Sequence, residues 1–192
     1  MFDRGSTARR IVDYERKNPQ RRAWSTVPSD RMLAPVSIRP AVAADAAVIL
    51  ELIHELAVYE REPQAVRLTE EQLRSDGFGE QPAFEVLLAT RENQVLGMAL
   101  YYPCYSTWNG KSVYLEDLVV REFARGTGVG KALMAALASE TLARGATQMR
   151  WQVLDWNTPA IDVYKHLGAE LDETWINGRL DVADMHALTQ TH

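Results

Sequence analysis

One stretch constrains this chain more than any other: "LEDLVVREFARGTGVGKALMAAL", from Leu115 to Leu137. An apolar strand runs into three alternating glycines, Gly126, Gly128 and Gly130, and these open a helix with apolar residues at helical spacing. The first turn of a helix presents N–H groups without intrahelical partners and a partial positive charge, and glycine lets an anion approach the backbone with no Cβ in the way. The segment Arg125, Gly126, Thr127, Gly128, Val129, Gly130, Lys131 therefore reads as a phosphate cradle. Two familiar cradles fail on spacing. A P-loop needs glycine five residues before Gly130 and Ser or Thr after Lys131, where the chain has Arg125 and Ala132. A dinucleotide fingerprint counted from Gly126 requires glycine at 131 and meets Lys131, and counted from Gly128 it requires glycine at 133 and meets Leu133. The pattern that fits is RxxGxG between a strand and a helix.

The rest of the chain places that motif in a mixed sheet. Val36 to Arg39 reads as a strand ended by Pro40, and Asp45 as the cap of a helix carrying Val48, Ile49, Leu52, Ile53 and Leu56, which ends near Tyr59. Thr69 and Gln72 have capping-box spacing, which predicts a short helix to Ser75 stopped by Gly77. Phe84–Thr90 and Val95–Tyr102 form a hairpin around "RENQ", and Asn109-Gly110 marks a second hairpin leading into a strand over Ser112–Val120. The helix after the glycines continues through Leu133, Leu137 and Leu142 to a C′ glycine, Gly145. "MRWQVL" follows as a strand, Thr158-Pro159 starts a helix that Gly168 ends, and Trp175 with "GRLDV" suggests a last hairpin. The expected architecture is α/β: one twisted mixed sheet of about six or seven strands with helices on both faces.

At 192 residues the length suits one domain. Residues 1–35 hold eight basic and four acidic side chains, so the formal charge of −5 leaves −9 on residues 36–192. We read 1–35 as a mobile basic extension and 36–192 as the folded domain; translation starting at Met32, or a basic arm touching nucleic acid, are the competing readings of the extension. An acidic body argues against nucleic acid as the main partner and suits a cationic substrate. No apolar run approaches the roughly 18 residues of a membrane span. A single cysteine, Cys104, precludes an intrachain disulfide and makes the cytoplasm the default compartment. His54, His166, His186 and His192 show no ligand spacing, so no metal is expected.

The RxxGxG loop between strand and helix resembles that of the GNAT N-acetyltransferases. Four further blocks, "SIRPAVAADAAVILELIHELAVYE", "LTEEQLRSDGFGE", "YSTWNGKSVYLEDLVV" and "VLDWNTPAIDVYKHLGA", are similar to the diamine acetyltransferase group, which acts on spermidine, spermine and thialysine. The resemblance implies a GNAT fold, acetyl-CoA as co-substrate, a homodimer, and direct transfer of acetyl to a primary amine of a small cationic substrate. A CoA-binding regulator that has lost catalysis is the alternative.

The same resemblance assigns roles by position. Arg125, Gly126, Thr127, Gly128, Val129, Gly130 and Lys131 would hold the diphosphate, while backbone groups of Leu118, Val119 and Val120, on a strand that splays at a bulge, would hold the pantetheine arm. Those three side chains also read as core. Asn157 would contact the pantetheine arm, and by residue type is a turn or cap residue. Glu116 would bind the amine and take its proton, where residue type alone gives a solvated strand-end acid. Asp117 reads as structural. Tyr164 would serve the leaving sulfur; a helix-packing tyrosine is the plain reading. Tyr59, Glu60 and Trp108, with Glu62 adding charge, would hold the far end of the substrate. Ser106 departs from the aspartate of polyamine-specialised members and points toward a shorter, amino-acid-like or diamine acceptor.

Overall fold

The computed structural model describes residues 35–190, so the expectations for residues 1–34 and for His192 lie outside the described residues. Those residues fall into two compact units that divide after Trp151.

The first unit is built on a five-stranded sheet in sequence order: β1 (Ser37–Pro40), β2 (Glu85–Arg91), β3 (Gln94–Ser106), β4 (Gly110–Val120) and β5 (Gln148–Arg150). The first four run antiparallel, and β5 returns parallel to β4 after a helical crossover. The expected six or seven strands are thus five. "MRWQVL" contributes only two paired residues, Met149 and Arg150, and the last hairpin is absent among the described residues.

One sheet face carries α1 (Ala46–Tyr59) and α2 (Glu70–Phe78). Their Ala46, Ile49, Leu52 and Leu73 pack with Val86, Leu88, Met98, Leu100 and Val119 of the sheet. Each such large side chain contributes roughly 1.5–3 kcal/mol by leaving water. Asp45 precedes α1 in helical conformation without a side-chain cap bond; its carboxylate instead accepts from the Val42 amide and pairs with Arg39 at 2.7 Å. Gly77 does not stop α2. It lies inside the helix because a Cβ there would come within 2.5 Å of the Phe84 ring, and the cap falls on Gly79.

The other face carries α3 (Val129–Ala143), which buries Val129, Leu133, Met134, Leu137 and Thr141. Leu142 points to solvent. The buried place belongs to Thr141, whose hydroxyl donates to the Leu137 carbonyl at 2.8 Å. Arg144 follows α3 and reaches Glu85 through both guanidinium nitrogens at 2.6 Å while lying 5.4 Å over the Tyr101 ring. Gly145, with φ +66°, is the expected C′ residue.

The second unit contains α4 (Thr158–His166) and α5 (Val182–Thr189). Asn157 caps α4, accepting from the Ala160 amide at 3.4 Å, and Gly168 follows with φ +85°. Trp175 and "GRLDV", read as a closing hairpin, form no strand; α5 begins only at Val182, and Ala183, Met185, Ala187 and Leu188 within it are better helix formers than strand formers.

Candidate active site

The site begins with a slip in the β3–β4 register. Tyr101 pairs with Leu115 and Leu100 with Asp117, so Glu116 is the extra residue of a β-bulge. Alternation puts Leu115 and Leu118 on the α3 face. Glu116 and Asp117, which an unbroken strand would send to opposite faces, both fall on the α1 face. That face also carries Tyr102 and Tyr114, directly opposite each other, with stacked rings 5.3 Å apart. The Tyr102 hydroxyl donates to a Glu116 carboxylate oxygen at 3.0 Å. Burial, and then Glu116, push the Tyr102 phenol up to about 12.

Asp117, read from sequence as structural, turns out to be part of this cluster. Burial raises its carboxyl to about 6, and the neighbouring negative charges of Glu116 and Glu60 add to the effect. Glu60, the residue that closes α1, is itself raised by burial. The fold thus brings Glu60, Glu116 and Asp117 together from two elements, and no spacing in the sequence announces this. The signal lies in the bulge, which only the pairing partner reveals.

Beyond Tyr114 the sheet opens. β5 pairs with Ser112, Val113 and Tyr114, and no described strand pairs with Leu115–Val120 on that side. Leu118 and Val120 are half-buried. Val119 has its side chain in the α1–α2 core, so only its backbone is left for a ligand. Gly97 keeps β3 close to the end of β4: a Cβ there would meet the Val119 carbonyl oxygen at 2.3 Å.

The glycine loop follows at once. Gly126 and Gly128 have φ of +74° and +88°, and ideal Cβ atoms at either would meet nothing within 4 Å. Gly128 is the N-cap of α3 and offers no side chain to its amides; the first intrahelical bond runs from Ala132 N–H to the Gly128 carbonyl at 3.0 Å. The amides of Val129, Gly130 and Lys131 therefore precede the helical ladder. Gly130 has ordinary helical φ, and a Cβ there would only touch Val120 Cγ2 at 3.6 Å. The Thr127 hydroxyl donates to the Ala124 carbonyl at 2.7 Å and stays inside the loop. Arg125 donates from Nε to the Val120 carbonyl at 3.0 Å and lays its guanidinium 4.8 Å over the Tyr59 ring. These open amides, the ring of uncrowded glycine backbone and two cations, Arg125 and Lys131, fit a diphosphate.

Trp108, one of the expected substrate residues, is not gathered here. Trp108 is 84% exposed at the tip of the β3–β4 hairpin. Gly110, two residues further on, is six strand steps from Glu116, about 20 Å. The hairpin loop has three residues, Thr107 to Asn109, with Gly110 at φ +86°. Ser106 accepts from the Trp108 and Asn109 amides at 3.3 and 3.1 Å, so its hydroxyl holds the turn. Glu62 is exposed just beyond α1. Asn157 and Tyr164 belong to the second unit, where Tyr164 is buried and its phenol is raised by that burial.

Residues 48–169 match the acetyltransferase (GNAT) family. The chain belongs to the GNAT acetyltransferase family. It is a GNAT-type N-acetyltransferase, and members of this family use acetyl-CoA. It is 46% identical over 146 residues to the thialysine N-epsilon-acetyltransferase of Bos taurus, covering 72% of this chain and 86% of that one. Against the Mus musculus protein of the same name the identity is 41% over 167 residues, 81% of this chain and 98% of that one. Among solved structures, an integron cassette protein from the mobile metagenome of V. cholerae is similar with a TM-score of 0.67 and 25% identity, covering 81% of this GNAT chain and 98% of the other.

Proposed function

We propose that the protein transfers acetyl from acetyl-CoA directly to the terminal amine of a small, amino-acid-like cation such as thialysine, within a ternary complex of a homodimeric enzyme. The observation that carries this reading is the position of Glu116: an ionisable side chain on a bulge, beside Asp117 and Glu60, nine residues along the chain from Arg125, where the glycine loop begins.

Each group has a task. The amides of Val129, Gly130 and Lys131, with Arg125, hold the diphosphate, and the unpaired edge of β4 from Leu118 to Val120 receives the pantetheine arm. Bound there, acetyl-CoA supplies its acetyl group as a thioester. The acceptor arrives as an ammonium with an ordinary pKa of about 10.4, almost wholly protonated at neutral pH. The carboxylates of Glu116, Asp117 and Glu60 attract that cation, and Glu116 takes the proton so that a neutral amine can attack. Tyr164 serves the departing sulfur. A phenol near 10 is a weaker acid than a thiol near 8.5, and burial weakens it further, so the hydroxyl stabilises the thiolate mainly by donating a hydrogen bond. Asn157, whose side chain already caps α4, is the proposed pantetheine contact in the second unit.

Substrate choice rests on the similarity to thialysine N-epsilon-acetyltransferases and on Ser106, a neutral residue occupied in the hairpin turn where a long polyamine would want another carboxylate. The test is CoA release with thialysine, lysine, short diamines, spermidine and spermine. Fastest turnover is expected with thialysine, and acetyl-CoA binding without turnover on any amine would contradict the proposal.

A further inference from the structure

Glu116 has a reach problem that its neighbours solve. A glutamate on the exposed side of a strand has three rotatable bonds and on the order of 1.5–2 kcal/mol of side-chain entropy to lose before it can hold one orientation. Here one oxygen is already taken. The Tyr102 hydroxyl donates to Oε2 of Glu116 at 3.0 Å, which leaves Oε1 for an ammonium. Tyrosine has two rotatable bonds before its hydroxyl, and this ring is held twice, by the β3–β4 pairing of Tyr102 with Tyr114 and by the stack of the two rings at 5.3 Å and 22°. The bulge is what makes the contact possible. Glu116 is the added residue between the pairs Tyr101–Leu115 and Leu100–Asp117, so its side chain stays on the Tyr102 face one step along from Tyr114.

We propose that Tyr102 is a positioning residue for the transfer reaction: braced by Tyr114, its hydroxyl fixes the Glu116 carboxylate with one oxygen directed at the incoming amine. The proposal rests on the reading of Glu116 as the proton acceptor. The hydroxyl is a donor to Glu116 and touches no reacting atom, so it acts through that carboxylate alone. The other ionisable groups around the pair are Tyr114, Asp117, Arg150 opposite Tyr114 on β5 and, farther along, Cys104 and Glu60. Among the described residues, the side chain that donates to Glu116 is Tyr102.

Tyr102→Phe removes the hydroxyl and keeps a ring to stack on Tyr114. Its kcat/KM for the amine is expected to fall about ten-fold, the scale of a lost hydrogen bond to a charged group, with acetyl-CoA affinity and melting temperature unchanged. A change under two-fold, or a loss matched in acetyl-CoA affinity, overturns the proposal. In a Glu116→Asp background the carboxylate is one methylene shorter and withdrawn from the hydroxyl, so adding Tyr102→Phe is expected to cost less than two-fold. A repeat of the ten-fold loss there would mean that Tyr102 acts otherwise. Glu116→Gln alone separates the two levels: if it keeps parental activity, the reading of Glu116 fails and takes the positioning role with it, whereas an inactive Glu116→Gln beside an unaffected Tyr102→Phe sinks the positioning role only.

Discussion

The guanidinium of Arg125 lies 4.8 Å over the ring of Tyr59. One residue belongs to the glycine loop and the other ends α1, next to Glu60, so the contact couples the proposed diphosphate site to the acidic cluster. Arg125→Ala removes a phosphate partner and is expected to raise the KM for acetyl-CoA about ten-fold. Tyr59→Ala leaves the cation present and still bonded to the Val120 carbonyl but without the ring beneath it, and a smaller rise in the same constant is expected. Steady-state kinetics with acetyl-CoA as the varied substrate reads both.

The loop glycines should separate folding from binding. Gly128 holds φ +88°, where a Cβ costs about 1–2 kcal/mol, so Gly128→Ala is expected to lower stability by that amount. Gly130 has room for a methyl group and ordinary helical backbone. Gly130→Ala is therefore expected to unfold at slightly higher denaturant concentration while binding acetyl-CoA several-fold more weakly, because the methyl group stands where a phosphate oxygen would approach. Urea melts and isothermal titration of the two variants give the comparison.

Arg121 is 5% exposed and pairs with Glu51 at 2.7 Å and Glu55 at 3.6 Å, fastening the end of β4 to α1 just ahead of the loop. Cutting one partner from such a pair leaves charge without its counter-charge. Arg121→Ala is expected to destabilise the fold by on the order of 3 kcal/mol in equilibrium unfolding. A loss below about 0.5 kcal/mol would show the contact to be a solvated surface pair.

Asp117 gives a pH dependence with a definite sign. Its folded carboxyl titrates at about 6, above the ordinary 3.8, so between those values the native protein keeps a proton that the unfolded chain has lost. Stability therefore falls as pH rises from about 4 to about 6. Asp117→Asn is expected to be more stable than the parent at pH 7.5 by on the order of 2 kcal/mol, with the gain gone at pH 4. Denaturant unfolding at the two pH values is the measurement, and a gain that persists unchanged at pH 4 would point to another cause.

Much of this was legible in the sequence where the signal is local. The glycine loop, the capping box at Thr69 and Gln72, the Pro159 helix start and the C′ glycines Gly145 and Gly168 each act within a turn or two of chain, and each appears where expected. What escaped depends on partners far along the chain. Gly77 looks like a stop until Phe84 packs on it, Arg121 meets Glu51 across 70 residues, and the slip that puts Glu116 and Asp117 on one face exists only relative to β3. The expected C-terminal hairpin has a different origin: Trp175 and "GRLDV" suit a strand and turn locally, but no described strand pairs with them, and the helix-forming residues after Asp181 take the chain into α5.

The most direct test is a crystal structure of the protein with CoA. The expected result places the diphosphate oxygens within hydrogen-bond distance of the Val129, Gly130 and Lys131 amides, with the pantetheine arm along the free edge of β4. A diphosphate bound elsewhere, with the start of α3 filled only by solvent, would contradict it.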